Sequence, residues 1–159
     1  MKSLLVFSAF SLFSVTQAWA QLDPRFVEVI TVSDRDNLDY WYSHSEPCPW
    51  SEDEAVSLIE GVIKRSRIKP SRSINLLNEV YLDVGVVCVD ITVGGGGIVA
   101  GRSIYARVMF GDYPMLYDRD YGSLWVMPSD DSDVALMKIR GAVEQAITDF
   151  VEVNFLMGR

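Results

Sequence analysis

The sequence predicts an α+β fold: a two-layer domain with a mainly antiparallel sheet of three to four strands and two helices packed on one face. Three observations carry this expectation. A capping sequence opens a helical pattern at Ser51; a Val-rich run from Val80 to Val93 is followed across a glycine run by an alternating segment from Ser103 to Phe110; and a long apolar stripe closes the chain between Leu136 and Phe150. Runs of strand pattern flanked by helical pattern, each with one apolar face, assemble by packing the helices on the sheet.

Before the first of these elements, Met1 to Ala20 has the form of a secretory signal peptide. A positive start with Lys2, an apolar run from Leu4 to Val15 and Ala18-Trp19-Ala20 as a small-x-small cleavage site make the pattern. The run is interrupted by Ser8, Ser11 and Ser14 and falls short of the roughly 20 apolar residues a membrane span needs. No Cys follows the cleavage site to carry a lipid. The expected product is exported to the periplasm or outside the cell, is not membrane-spanning after cleavage, and comprises residues 21–159 as a single compact domain.

The chain has 159 residues, 49% hydrophobic and 23% charged, with a net charge of -8. Cleavage would remove only Lys2 among the charged side chains and make the balance one unit more negative. Nucleic-acid binding draws its affinity from Lys and Arg against phosphate, so this balance excludes nucleic acid as the expected partner and disfavours an anionic membrane surface.

Along the exported part, Phe26 to Val32 has the β-branched content of a strand. Ser33 to Pro49 is polar, aromatic and Pro-bounded, and reads as a loop. Ser51 and Glu54 form a capping box for a helix over Glu52 to Arg65, with Ala55, Val56, Ile59, Val62 and Ile63 on one face. The second half of Val80 to Val93 is apolar on both faces, as in a central strand. Gly94 to Gly97 then connects it to Ser103–Phe110 as a hairpin, and Ser123 to Met127 adds a short strand around Trp125. Ser129 to Asp133 supplies caps and negative charge to the closing helix, whose stripe is Leu136, Ile139, Val143, Ala146, Ile147 and Phe150.

Export opens two states for Cys48 and Cys88. A disulfide closing a loop of about 40 residues is worth on the order of 4 kcal/mol through the unfolded state; the alternative is two thiols, with Cys88 a small buried hydrophobe. The bonded pair is the expectation.

Candidate chemistry is sparse. The glycine run lacks the Gly-Lys-Ser/Thr and the following helix of a phosphate loop. The one histidine, His44, lies near Cys48 without features of a thiolate pair. Asp34, Asp36 and Asp39, then Asp118 and Asp120, then Asp130, Asp131 and Asp133 form acidic clusters that suit turns and helix caps. They also define an alternative reading, a small exported hydrolase or a calcium-dependent protein. The sequence calls for no cofactor and no metal. Tyr40-Trp41-Tyr42, with Tyr121 further along, are the candidate binding residues, because Tyr and Trp give large contact area at low entropic cost. The expectation is therefore a non-enzymatic binding module whose partner is an envelope or extracellular protein or glycan, reached through the aromatic segment or an exposed sheet edge.

Ile139-Arg140-Gly141-Ala142-Val143 followed by Asp149-Phe150 and Asn154, together with the strand around Trp125, resembles the closing region of small uncharacterised exported bacterial proteins. That resemblance implies a bacterial periplasmic setting and brings no catalytic residues with it.

Overall fold

The computed structural model describes residues 22–72, 80–94, 98–112, 115–116, 119–127 and 131–157. The expected signal peptide, Gly95 to Gly97, Asp118, Ser129 and Asp130 lie outside the described residues.

The chain enters on a helix, α1 (Pro24–Ile30), where the sequence reading expected a strand. The Asp23 side chain accepts from the backbone N–H of Arg25, and Pro24 fills the first helical position; both are helix-start devices. Phe26 and Ile30, four residues apart, bury the same side. Of the β-branched residues that suggested a strand, Ile30 is buried on this side and Val27 and Val29 are partly buried against the core.

β1 (Asn37–His44) occupies what was expected to be a loop. Its burial alternates: Leu38, Tyr40 and Tyr42 point into the core while Trp41 and Ser43 face outward. The polar ends of the tyrosines made the segment look solvated. Inside the fold those ends are satisfied, Tyr40 Oη donating to Glu60 at 2.9 Å and Tyr42 Oη accepting from Trp50 Nε1 at 2.8 Å.

α2 (Glu52–Arg65) carries the expected capping box, Ser51 and Glu54 exchanging side-chain and backbone hydrogen bonds. It returns the chain to β2 (Lys69–Ser71), which lies parallel to β1. β3 (Tyr81–Val93) also runs parallel to β1 and then turns into β4 (Ile98–Asp112), its antiparallel partner over its whole length. β5 (Met115–Leu116) pairs the end of β4 and β6 (Ser123–Met127) its middle. The sheet is thus six-stranded and mixed, in the order β2-β1-β3-β4-β5 with β6 on β4. It is not an antiparallel meander of three to four strands, because the intervening α2 brings the chain back in the same direction.

α3 (Ser132–Val151) continues into a π-helical turn, Glu152–Leu156. Ile139, Val143, Ala146, Ile147 and Phe150 are buried, as the stripe required, and Asp131 is the N-cap. The α+β class holds, with three helices among the described residues rather than two. The core lies between α2, α3 and one sheet face: Leu38, Tyr40, Leu82, Val84, Ile104, Val108 and Phe110 from the strands meet Ile59, Ile63, Ile139 and Phe150 from the helices.

The Cys48–Cys88 disulfide is formed. It fastens the turn after β1 to the middle of β3.

Two polar clusters close the layers, and both involve residues of the terminal pattern. Asn154 is buried; its Nδ2 donates to the carbonyls of Ile30 and Phe150, and its Oδ1 accepts from Val32 N–H. It therefore ties the end of α1 to the end of α3. Asp149 accepts from Tyr121 Oη at 2.6 Å and pairs with Arg119 at 3.1 Å, while that guanidinium lies over the rings of Phe26 and Tyr121.

Candidate functional site

Strand periodicity sends alternate residues to opposite faces, and the helices cover one face only. The other face is assembled by cross-strand register. Trp41 stands beside Asp83, and Asp83 beside Met109; next come Ser43, Gly85 and Arg107; then Val87, Tyr105 and Leu124; then Val89, Ser103 and Val126.

This face is unusually apolar for one without a covering layer. Trp41 is 50% exposed, Val87 49%, Val89 56%, Leu124 67% and Val126 64%. A monomer rarely leaves such a contiguous set in water without a use for it. The apolar character of both faces of β3 predicts a central strand. β3 is central in order, yet its Val87, Val89 and Ile91 side chains are exposed. In this segment the sequence pattern records a surface.

At the middle of the face lies a polar notch. Ser43, His44, Ser45, Gly85, Val86, Val87, Tyr105 and Arg107 line a cavity of about 350 Å³. Gly85 supplies the floor. The direction in which its side chain would project ends 3.7 Å from Arg107 Nη2, 3.9 Å from Arg107 Nε and 3.8 Å from Ser43 Oγ. Arg107 Nη2 is held by Asp83 Oδ2 at 2.5 Å, and the Arg107 side chain remains 40% exposed. Its Nε has no hydrogen-bond acceptor among the described residues. His44 stacks on Tyr42 with ring centroids 5.5 Å apart.

The wall beyond the notch is fixed by Asp120. Its carboxylate accepts from the backbone of Val108 and of Gly122, and from Tyr105 Oη. That bond, ahead of the Coulomb effect of the same carboxylate, holds the Tyr105 hydroxyl above the ordinary tyrosine range. Gly122 packs so closely on β4 that a Cβ would fall 1.8 Å from the Ala106 carbonyl oxygen, so only glycine serves there.

The edge of β3 is also partly free. Among the described residues β1 pairs with β3 only as far as Val86. Ser45 then continues the ladder by proxy, its backbone N–H donating to Val86 O and its Oγ accepting from Cys88 N–H. The disulfide secures this step from behind.

The four sequence-expected binding residues divide. Trp41 is on the open face. Tyr40 is fully buried and Tyr42 nearly so; as contact residues they are corrected to core residues with satisfied hydroxyls. Burial foremost, and then the hydrogen bond to Glu60, holds the Tyr40 hydroxyl well above its ordinary range. Tyr121 packs against the core with its hydroxyl on Asp149, its ionisation opposed mainly by burial and then by that carboxylate. Sequence reasoning missed Ser43, Gly85, Tyr105 and Arg107. The alternation of Ser103 to Phe110 puts Tyr105, Arg107 and Met109 on one side and could have found two of them; Ser43 and Gly85 are brought there only by cross-strand register.

The acidic clusters serve their own turns where they are described. Asp34 accepts from Asp36 N–H and Asn37 Nδ2, Asp120 organises the turn before β6, and Asp131 caps α3. Among the described residues no three His, Cys, Asp or Glu side chains gather as a metal site would require.

No protein-family model matches the chain, and no curated protein does. Solved structures similar to it include a neuraminyllactose-binding hemagglutinin homolog from Helicobacter pylori, at 9% identity, covering 77% of this chain and 84% of that one with a TM-score of 0.36. A minor lipoprotein from Acinetobacter baumannii is 9% identical over 75% of this chain and 92% of its own, also at 0.36. The rare lipoprotein B from Shewanella oneidensis is 11% identical over 72% and 91%, at 0.28. At these TM-scores the likeness is loose and transfers no property to this chain.

Proposed function

We propose that the protein is an exported binding module that holds an envelope or extracellular component on the helix-free face of its sheet. The observation that carries the reading is the contiguous exposed set Val87, Val89, Leu124 and Val126, with Trp41 exposed on the same face across the notch. Its strands are backed on the other face by the helical layer, which suits a surface that binds without rearranging. Export is supported by the leader sequence and by the Cys48–Cys88 bond, since disulfides persist in oxidising compartments. Among the described residues no helix is long and apolar enough to cross a membrane.

The test pairs a face variant with a control. Val87→Glu/Leu124→Glu changes two exposed side chains on the open face, and Met137→Glu changes one on the solvent side of α3, where Met137 is 67% exposed. Tagged protein is crosslinked in its own envelope or culture fluid and the captured species are quantified. Loss of one reproducible species with the face variant alone, at unchanged melting temperature, is the expected result. Equal capture by all three proteins would refute the reading.

A further inference from the structure

The notch over Gly85 specifies a ligand chemistry, and this inference rests on the open face being the recognition face. We propose that it seats one ring of an uncharged oligosaccharide. Three features of the site converge on that class.

The first is the placement of donors. Arg107 Nη2, Arg107 Nε and Ser43 Oγ all lie within 3.9 Å of the point where a Gly85 side chain would have projected. A hydroxyl oxygen entering from the solvent side approaches Ser43 Oγ and the exposed part of the Arg107 guanidinium, whose side chain is 40% exposed. The cavity of about 350 Å³ is at the small end for binding sites, the scale of a single ring of a longer molecule.

The second is the pair of aromatic flats. Trp41 and Tyr105 are the diagonal neighbours of Gly85, one on each adjacent strand, since Trp41 is registered with Asp83 and Tyr105 with Val87. Each stands roughly 7–8 Å from the notch, on opposite sides, and both are well exposed, at 50% and 42%. A sugar ring has an apolar face lined by C–H bonds and a polar rim of hydroxyls. An exposed aromatic ring on either side of a polar notch offers apolar contact to sugar rings flanking the one seated there.

The third is charge. Arg107 is already neutralised by Asp83, and the chain as a whole carries -8. A phosphate, sulfate or polycarboxylate would meet a paired guanidinium in a negative field. An uncharged ligand pays no such penalty.

The decisive variant is Gly85→Ala. The added methyl meets only ordinary van der Waals neighbours at 3.7 to 3.9 Å, in an extended strand that favours Ala over Gly, so the fold is retained while the floor of the notch is raised. Maltohexaose, cellohexaose and chitohexaose are titrated separately into ¹⁵N-labelled protein, reading the Trp41 indole N–H and the Arg107 Nε–H signals, with dextran sulfate as the anionic comparator. The expected result is saturable shifts with at least one neutral hexasaccharide, weakened about tenfold or more in Gly85→Ala and in Trp41→Ala at unchanged melting temperature, and weaker or no response to dextran sulfate. No shift with any neutral sugar at about 10 mM, tenfold above a weak Kd near 1 mM, overturns the proposal. So does a response that survives Gly85→Ala, or tighter binding of dextran sulfate. If sugars fail while Val87→Glu/Leu124→Glu still abolishes capture, only the ligand class falls; if that variant also captures normally, the recognition face falls with it.

Discussion

Removing the Cys48–Cys88 bond is the sharpest perturbation of the fold. The cystine closes a loop spanning 40 positions, and the chain-entropy relation gives about 4 kcal/mol for releasing a loop of that length in the unfolded state. Cys88 is buried, at 3% exposure, so truncating it in Cys48→Ala/Cys88→Ala adds about 1 kcal/mol for the lost sulfur. With a urea slope of about 1.5 kcal/mol/M, a loss of about 5 kcal/mol moves the midpoint down by roughly 3 M. The assay is urea unfolding followed by far-ultraviolet circular dichroism on the oxidised protein, the reduced protein and the double variant. The reduced protein isolates the loop contribution, because both sulfurs remain. A second readout is local: amide exchange at Ser45, whose N–H donates to Val86 O, and at Cys88, whose N–H donates to Ser45 Oγ, should accelerate more than exchange in α3. A midpoint change worth under about 1 kcal/mol would refute the reasoning, since it would mean that the unfolded chain already holds these ends together.

The remaining expectations concern single side chains. Tyr40→Ala should cost about 3–5 kcal/mol because the ring is fully buried, whereas Trp41→Ala, one residue on and half exposed, should change stability by under about 1 kcal/mol; comparable losses would contradict the strand assignment. Asn154→Ala should cost about 3 kcal/mol by stranding Ile30 O and Val32 N–H, with proteolysis near α1 accelerating first. Gly122→Ala should prevent accumulation of folded protein, since its Cβ overlaps the Ala106 carbonyl; a soluble variant with wild-type melting would refute the geometry. Tyr40 and Tyr121 have folded-state ionisation raised above the unfolded value near 10, both chiefly by burial. Their stabilisation is complete below pH 10 and is lost as pH rises above it, by up to about 1.4 kcal/mol per pH unit for each ring. Melting temperature should fall steeply from pH 10 to 12, and less steeply in Tyr40→Phe.

How much of this was legible in the sequence depended on whether a pattern was local. The Ser51 capping box and the stripe of α3 were readable because both ends of each device lie within a few turns of the same helix. The disulfide followed from compartment and count. β1 was not readable, because its tyrosines are buried only by virtue of Glu60 and Trp50, partners that lie in or next to α2. α1 was masked by its β-branched residues, although Asp23-Pro24 carried the correct signal. The direction of β1 against β3 depends on a crossover that no periodicity records.

The recognition face illustrates why the remainder stayed hidden. An apolar strand residue gives the same sequence signal whether a helix or a partner covers it, and here the two cases alternate along one strand: Val84 and Val86 are buried under the helices, Val87 and Val89 are not. The polar notch depends on a conjunction still further from sequence. Ser43 reaches it because β1 is parallel to β3, Arg107 because β4 is antiparallel to β3, and Gly85 because it is registered with both. β1 stops just beyond the notch, at Ser45, where a hydroxyl takes the place of the next ladder residue and the disulfide holds it there. Were β1 two residues longer, its backbone would pair with Cys88 directly and its next outward side chain would stand beside Val87, walling off the path from the notch to the apolar set. The bond between Cys48 and Cys88 therefore does more than lower the entropy of the unfolded chain. It also holds the turn after β1 against β3 at the point where β1 ends, beside the polar notch that borders the apolar surface of β3, β4 and β6.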